Sequence, residues 1–181
     1  ASTTILDGGD SGSIIEMWNG YDLELEGLTL QGGKADDSSF SWGSVNYSGG
    51  GAIACKGSIT QVGSLLVQDS TLTGNQGVLG GAFSLEWCDA TFDSVTMDDN
   101  SATYGGAGFV NDSTVEFDGC LVESNSATDH GGAIYIFESA VSCDGSGGDY
   151  GFSDNSALVG EAIYSSDSTS TLDVSRCDFG V

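Results

Sequence analysis

The chain of 181 residues contains no proline. Proline-rich linkers and recognition segments are therefore excluded. Basic residues are almost as scarce: Lys34, Lys56 and Arg176 stand against 27 acidic residues, for a net charge of −24. So negative a chain repels phosphate backbones and anionic headgroups, which excludes nucleic acid and anionic membrane surfaces as partners. No apolar run approaches the roughly 18 residues that a membrane-spanning helix needs, and no apolar pattern repeats at the helical period. The five cysteines form no CxxC pair, which leaves no metal-knuckle or redox motif. The single histidine, His130, sits in Asp129-His-Gly-Gly without a basic neighbour, and no catalytic role is expected of it. The first residue is Ala, so the chain reads as processed or as part of something longer.

Glycine is what the chain has in excess, with 29 residues. Much of it recurs at a fixed place. Gly50-Gly-Ala-Ile, Gly80-Gly-Ala-Phe, Gly105-Gly-Ala-Gly and Gly131-Gly-Ala-Ile are copies of one motif, and Gly160-Glu-Ala-Ile varies it. Before four of these lies an apolar-x-x-Asn motif: Leu72 to Asn75, Met97 to Asn100, Val122 to Asn125 and Phe152 to Asn155. The asparagines fall 25, 25 and 30 residues apart, and Ala52, Ala82, Ala107, Ala133 and Ala162 fall 30, 25, 26 and 29 apart. A period of this length marks a stacked repeat architecture.

Each period holds three short alternating runs, registered on the asparagines and alanines. The first inward pairs are Ile53/Cys55, Phe83/Leu85, Gly108/Val110, Ile134/Ile136 and Ile163/Ser165. The second are Leu65/Val67, Ala90/Phe92, Val115/Phe117, Val141/Cys143 and Leu172/Val174. The third are Ser70/Leu72, Val95/Met97, Cys120/Val122, Tyr150/Phe152 and Cys177/Phe179. Inward residues at every second position are the strand period. The pattern predicts an all-β fold: a right-handed, single-stranded parallel β-helix of about six coils with three strands each. Residues 1–181 read as one domain, interrupted by an insertion loop at about 34–48. Toward the N-terminus, residues 4–9 read as a third strand, 14–18 as a first strand, and Leu23/Leu25 and Leu28/Leu30 as the second and third strands of the next coil.

Asn75, Asn100, Asn125 and Asn155 then stack at one turn. Asn tolerates left-handed backbone and hydrogen-bonds locally, so these four are expected to form a structural amide ladder. The run between each Asn and the next glycine pair reads as a short turn. Cys55, Cys120, Cys143 and Cys177 point inward and Cys88 lies in a turn. Cys120 and Cys177 share a column but sit two coils apart, roughly 10 Å at a spacing of ~4.8 Å. That is too far to bridge, so free thiols are expected.

The GGA(I/V/L) and FxxN motifs carry a resemblance to right-handed β-helices of the pectin-lyase-like superfamily. More narrowly, the chain resembles the repeats of polymorphic outer membrane proteins. Gly51-Ala-Ile53 and Gly132-Ala-Ile134 match the first motif, and Phe152-Ser-Asp-Asn155 matches the second literally. The resemblance covers roughly residues 50–165 and implies the passenger of a surface adhesin. The superfamily also contains polysaccharide lyases and hydrolases, but their Lys or Arg beside clustered carboxylates has no counterpart here, because the three basic residues lie far apart in the register.

Two aromatic groups are candidate binding residues. Phe109, Tyr135 and Tyr164 fall on the outward side of the first strand in consecutive coils and are expected to form an exposed stripe that stacks on sugar rings or a protein partner. Phe40, Trp42 and Tyr47 mark the insertion loop, where repeat scaffolds commonly bind. No cofactor and no metal ligand set is assigned. Asp98, Asp99, Asp118, Glu123 and Asp154 lie near one turn column, where Ca²⁺ would find oxygens, but no calcium-loop spacing is present. The sequence reading is a non-catalytic, extracellular or cell-surface module, structural or adhesive, in a larger assembly or filament. It associates with proteins or itself through uncapped ends or the aromatic stripe. A carbohydrate-binding or polysaccharide-cleaving domain is the alternative, with a glycan as its partner.

Overall fold

The computed structural model describes residues 4–35, 40–42, 45–47, 49–145 and 150–179, with only the backbone for 40–42 and 45–47. The described chain is all-β and winds as a parallel β-solenoid of about six turns. Three six-stranded parallel sheets form its walls. The first wall stacks Ile15–Trp18, Ile53–Lys56, Phe83–Glu86, Gly108–Asn111, Ile134–Phe137 and Ile163–Ser165. The second stacks Asp22–Glu26, Gly63–Gln68, Cys88–Asp93, Thr114–Asp118, Ala140–Asp144 and Thr171–Arg176. The third stacks Thr4–Asp7, Leu28–Gln31, Thr71–Thr73, Thr96–Asp98, Leu121–Glu123 and Gly151–Ser153.

The register follows the repeat arithmetic. Phe83 pairs with Ile53 and Gly108, Phe92 with Val67 and Phe117, and Met97 with Leu72 and Val122. The short N-terminal strands fall where the offset of 42 puts them, with Leu23 opposite Leu65 and Leu30 opposite Leu72. The pairing departs from the predicted register between Ser142 and Asp144, where an irregularity shifts the last second-wall strand.

Inward positions fill one continuous core. Phe83, Phe92, Phe117 and Phe152 are fully or almost fully buried, and their ring centroids follow one another at 4.7, 5.4 and 5.8 Å, with Phe179 next at 5.5 Å. Each such ring contributes about 1.5–3 kcal/mol through burial. Gly108 takes an inward position because the Phe83 ring occupies the space a Cβ would fill.

The structure corrects the sequence reading in two places. The run after the asparagine is more than a turn. Ser101–Tyr104 and Ser126–His130 pair as a parallel two-stranded sheet, and bridges from Lys34 to Gln76, Gln76 to Ser101 and Ser126 to Ser156 extend it as a narrow fourth wall. Its residues Ala102 and Ala127 are small and buried. The thiols are the second correction. Cys55 is bonded to Cys88 and Cys143 to Cys177, with Cα atoms 6.1 and 6.0 Å apart. Cys88 is a buried inward residue that opens a second-wall strand. Both disulfides run diagonally across a corner between neighbouring coils, a geometry that pairing within a column does not anticipate.

Candidate functional site

Three of the four corners share one device. One residue turns the chain through the left-handed region and the next points inward. At the first corner, between first and second strands, the left-handed residues are Asn19, Trp87, Asp112 and Glu138. At the second they are Gly27, Asp69, Ser94 and Gly119, and at the third Gly32, Gly74, Asp99, Ser124 and Asp154. The left-handed conformation expected of the asparagines thus belongs to the residue before each of them. The asparagines supply the inward side chain. Asn100 Oδ1 accepts from both the backbone N–H and the Nδ2 of Asn75 at 3.0 Å, and Asn100 Nδ2 donates to the Leu72 carbonyl at 2.9 Å and to Asn125 Oδ1 at 3.0 Å. Asn125 and Asn155 continue the pattern, and Asn75 Oδ1 accepts from Gly33 N–H at 2.9 Å. Buried amides left without partners would be costly, and here they satisfy one another.

The first corner carries a second ladder that the sequence reading missed. Cys88 N–H donates to Ser113 Oγ, Ser113 N–H to Ser139 Oγ, and Ser139 N–H to Ser170 Oγ, at 3.0–3.1 Å. Each of Ser113 and Ser139 returns its hydroxyl to the carbonyl two residues back. Serines spaced 26 and 31 residues apart were the available signal.

The aromatic stripe is not exposed. Phe109 and Tyr135 are 1% and 4% exposed. They form a second, outer cluster with Ala54 and Leu79, flanked by Tyr104, Phe137 and Tyr164. Tyr104 and His130, from the fourth wall, lie over it: Tyr104 packs edge-on to Tyr135 at 5.5 Å and His130 meets Tyr164 at 4.4 Å. The glycine corner makes this fold-over feasible, because side chains at Gly80, Gly105 or Gly131 would strike first-strand carbonyls. The stripe is therefore a packing element rather than an open platform. Phe40–Trp42 and Val45–Tyr47 pair as an antiparallel hairpin; the side chains of Phe40, Trp42 and Tyr47 lie outside the described residues.

The charged groups separate rather than converge. Lys56 Nζ lies 2.7 Å from Glu86 Oε2, and Arg176 donates to Asp144 Oδ2 at 2.7 Å. His130 Nδ1 lies 2.8 Å from Asp129. Asp98 and Glu123 are neighbours on the third wall, Asp99 and Asp154 occupy the third corner, and Asp118 ends a second-wall strand. Among the described residues, no group of three or more His, Cys, Asp or Glu side chains is placed to hold a metal ion.

Among the described residues, two of the surface clefts bear on the fourth wall and the first corner. One of about 330 Å³ runs along the fourth wall, lined by Lys34, Gln76, Ser101, Thr103, Ser126 and Thr128 among others. The other, of about 420 Å³, follows the first corner from Val62 and Trp87 past Asp89 and Asp112 to Glu138. Burial pushes the Asp112 carboxyl up, the Asn111 amide opposes this, and the negative Glu86 adds to the rise. Val62, in the lining of this cleft, is exposed, whereas the exposed Tyr21 lines a separate cleft with Met17 and Trp18.

No curated protein and no solved structure matches the chain. A family model does match residues 119–136. That window holds Val122 and Asn125 of the third corner, the fourth-wall strand Ser126–His130, and the Gly131–Ile134 corner. Over these residues the chain is similar to the Chlamydia polymorphic membrane protein repeat.

Proposed function

We propose that the protein is a non-catalytic β-helix module displayed at a cell surface, where it acts as a structural or adhesive element of a larger extracellular assembly. The carrying observation is the match of residues 119–136 to a surface-protein repeat at the corner that builds the stack. The two disulfides support an extracytoplasmic location, since such bonds persist in oxidising compartments. Two of the three cationic side chains are engaged with carboxylates. That supports a non-catalytic reading, because each pairs with a single carboxylate on a separate wall rather than standing beside clustered carboxylates. Among the described residues, no helix is long and apolar enough to cross a membrane.

The test is to express the chain in its native host with an epitope tag and treat intact cells with protease. Loss of the tag from intact cells is the expected result, together with adherence of beads coated with the purified module to cultured cells. A tag protected in intact cells would overturn surface display, and beads that adhere no better than albumin-coated ones would overturn the adhesive role.

A further inference from the structure

The left-handed seats differ in what fills them. At the second and third corners the seats hold Gly, Ser or Asp. Glycine accepts a positive φ freely and Asp more readily than most residues, and the serines there are small. At the first corner two seats hold Trp87, at φ 54°, and Glu138, at φ 47°. A bulky side chain in this region costs free energy that a glycine would not, and such strain collects at functional sites. Neither residue is in the core, and both line the 420 Å³ cleft. The corner therefore places an indole and a carboxylate at the surface against a conformational cost.

What surrounds them has a direction. Val62 and Trp87 make the end near the second coil apolar. Further along the stack the cleft carries Asp89, Asp112 and Glu138. Thr169 and Thr171 close that end. Trp87, Asp112 and Glu138 hold equivalent positions in successive coils, so they repeat at ~4.8 Å. Lys56, on the first wall before this corner, pairs with Glu86. Asp89 Oδ1 accepts a hydrogen bond from Thr114 N–H, and the Asp167 carboxylate is taken up by Ser170, Thr169 and Glu138 N–H. The negative charge of Asp112 and Glu138 is left without a basic partner in the cleft.

We propose that the first corner is a docking ridge for an extended protein segment that places an aromatic or aliphatic anchor against Val62 and Trp87 and then sets Arg or Lys side chains against Asp112 and Glu138. Charge complementarity selects this occupant: the chain as a whole is at −24, so a cationic partner is steered in and a second copy of the chain is repelled. The inference builds on the adhesive reading and assigns it a face.

The experiment is selection of a random-peptide phage library on the intact protein at physiological salt, with selected peptides measured by calorimetry against wild type and two variants. The expected peptides combine an apolar anchor with Arg or Lys. They lose at least tenfold in affinity for Asp112→Asn/Glu138→Gln. They also lose affinity for Glu138→Gly, although its denaturation midpoint holds or rises because the strain is relieved. Basic peptides that bind the double variant as well as wild type would overturn the inference, since that is the behaviour of a diffuse acidic surface. Selection of acidic or neutral peptides, or of none, would also overturn it. Coated-bead adherence separates this from the parent reading. Adherence that survives Asp112→Asn/Glu138→Gln removes the ridge and leaves the adhesive module standing, whereas wild-type beads that fail to adhere remove the adhesive reading itself.

Discussion

The first and third corners bend the same chain by the same backbone device, yet they differ in what they do with it. At the third corner the side chains that follow the turn are inward and satisfied. The left-handed seats are filled by small or turn-forming residues, and the amide that follows is sealed between coils. At the first corner the inward part is a weaker copy, with hydroxyls in place of amides and a disulfide where Cys88 takes the serine seat. The outward part is where it diverges, with Trp87 and Glu138 held in strained seats above a cleft. An Asn presents both a donor and an acceptor to its neighbours, whereas a Ser has one hydroxyl hydrogen to give. The third corner can therefore tie the stack together, and the first is left freer to carry surface chemistry.

The largest break in that comparison is Asn100→Ala. It strips the acceptor from both Asn75 donors and leaves the Leu72 carbonyl without its buried partner. At about 1–3 kcal/mol per orphaned buried group, the loss should come to about 4 kcal/mol in urea unfolding. A loss below about 1 kcal/mol would show that water replaces the ladder. Next is the first-corner staple. Cys55→Ala/Cys88→Ser removes a bridge that closes a separation of 33 residues, worth about 3–4 kcal/mol through the unfolded chain. The serine at 88 restores the hydroxyl seat, so the measured loss should fall short of that figure. Ser113→Ala should be milder still, about 1–2 kcal/mol, because the Cys88 N–H loses its acceptor while the Asn111 carbonyl, which loses the Ser113 hydroxyl, keeps the Trp87 N–H. If Ser113→Ala equalled Asn100→Ala, the two corners would be equivalent and the contrast would fail.

How far the sequence could be read follows from the same geometry. The three-wall register was legible along most of the chain, because inward alternation and the spacing of Asn and Gly-Gly-Ala agree on one alignment; it slips at the last second-wall strand, and Tyr150 and Leu172, read as inward, are exposed. The disulfides were not legible. A strand register ranks neighbours within a column, and Cys55 and Cys88 meet across a corner on different walls. Ser101-Ala-Thr-Tyr104 is too short and too polar to announce a strand, so the fourth wall read as a turn. That omission misplaced the stripe: Phe109 and Tyr135 do face away from the axis, but Leu79, Tyr104 and His130 from the unseen wall cover them. The first-corner ridge carried a signal that alternation does not weigh, a Trp in a turn seat that homologous coils fill with Asp112 or Asn19.

Acid should sharpen the contrast, because the first corner ends on Asp167. Partial burial pushes this carboxyl up, but hydrogen bonds from Ser170 and Thr169 side chains and from the Glu138 and Ser170 N–H groups prevail and hold it well below the ordinary carboxylate range. A group whose folded pKa is depressed stabilises the fold above its unfolded value and loses that contribution as pH falls through the folded one. Stability should therefore drop below about pH 4 in wild type. Asp167→Asn should flatten that part of the pH profile, read as the urea midpoint, while leaving the third corner's amide ladder unaffected. An unchanged slope would mean that Asp167 keeps its hydrogen bonds in the unfolded chain.

The smallest effect has the opposite sign. Glu138 is exposed and left-handed, and its backbone N–H, which donates to Asp167 at 2.9 Å, survives substitution by glycine. Glu138→Gly relieves the strain of the seat but adds freedom to the unfolded chain, for a net gain of about 0.5–1 kcal/mol. The same change at the third corner, Ser124→Gly, starts from a residue that carries less strain and should gain less. If both substitutions gained equally, Glu138 would be an ordinary turn residue, and the first corner would owe its side chains to chance rather than to a surface task.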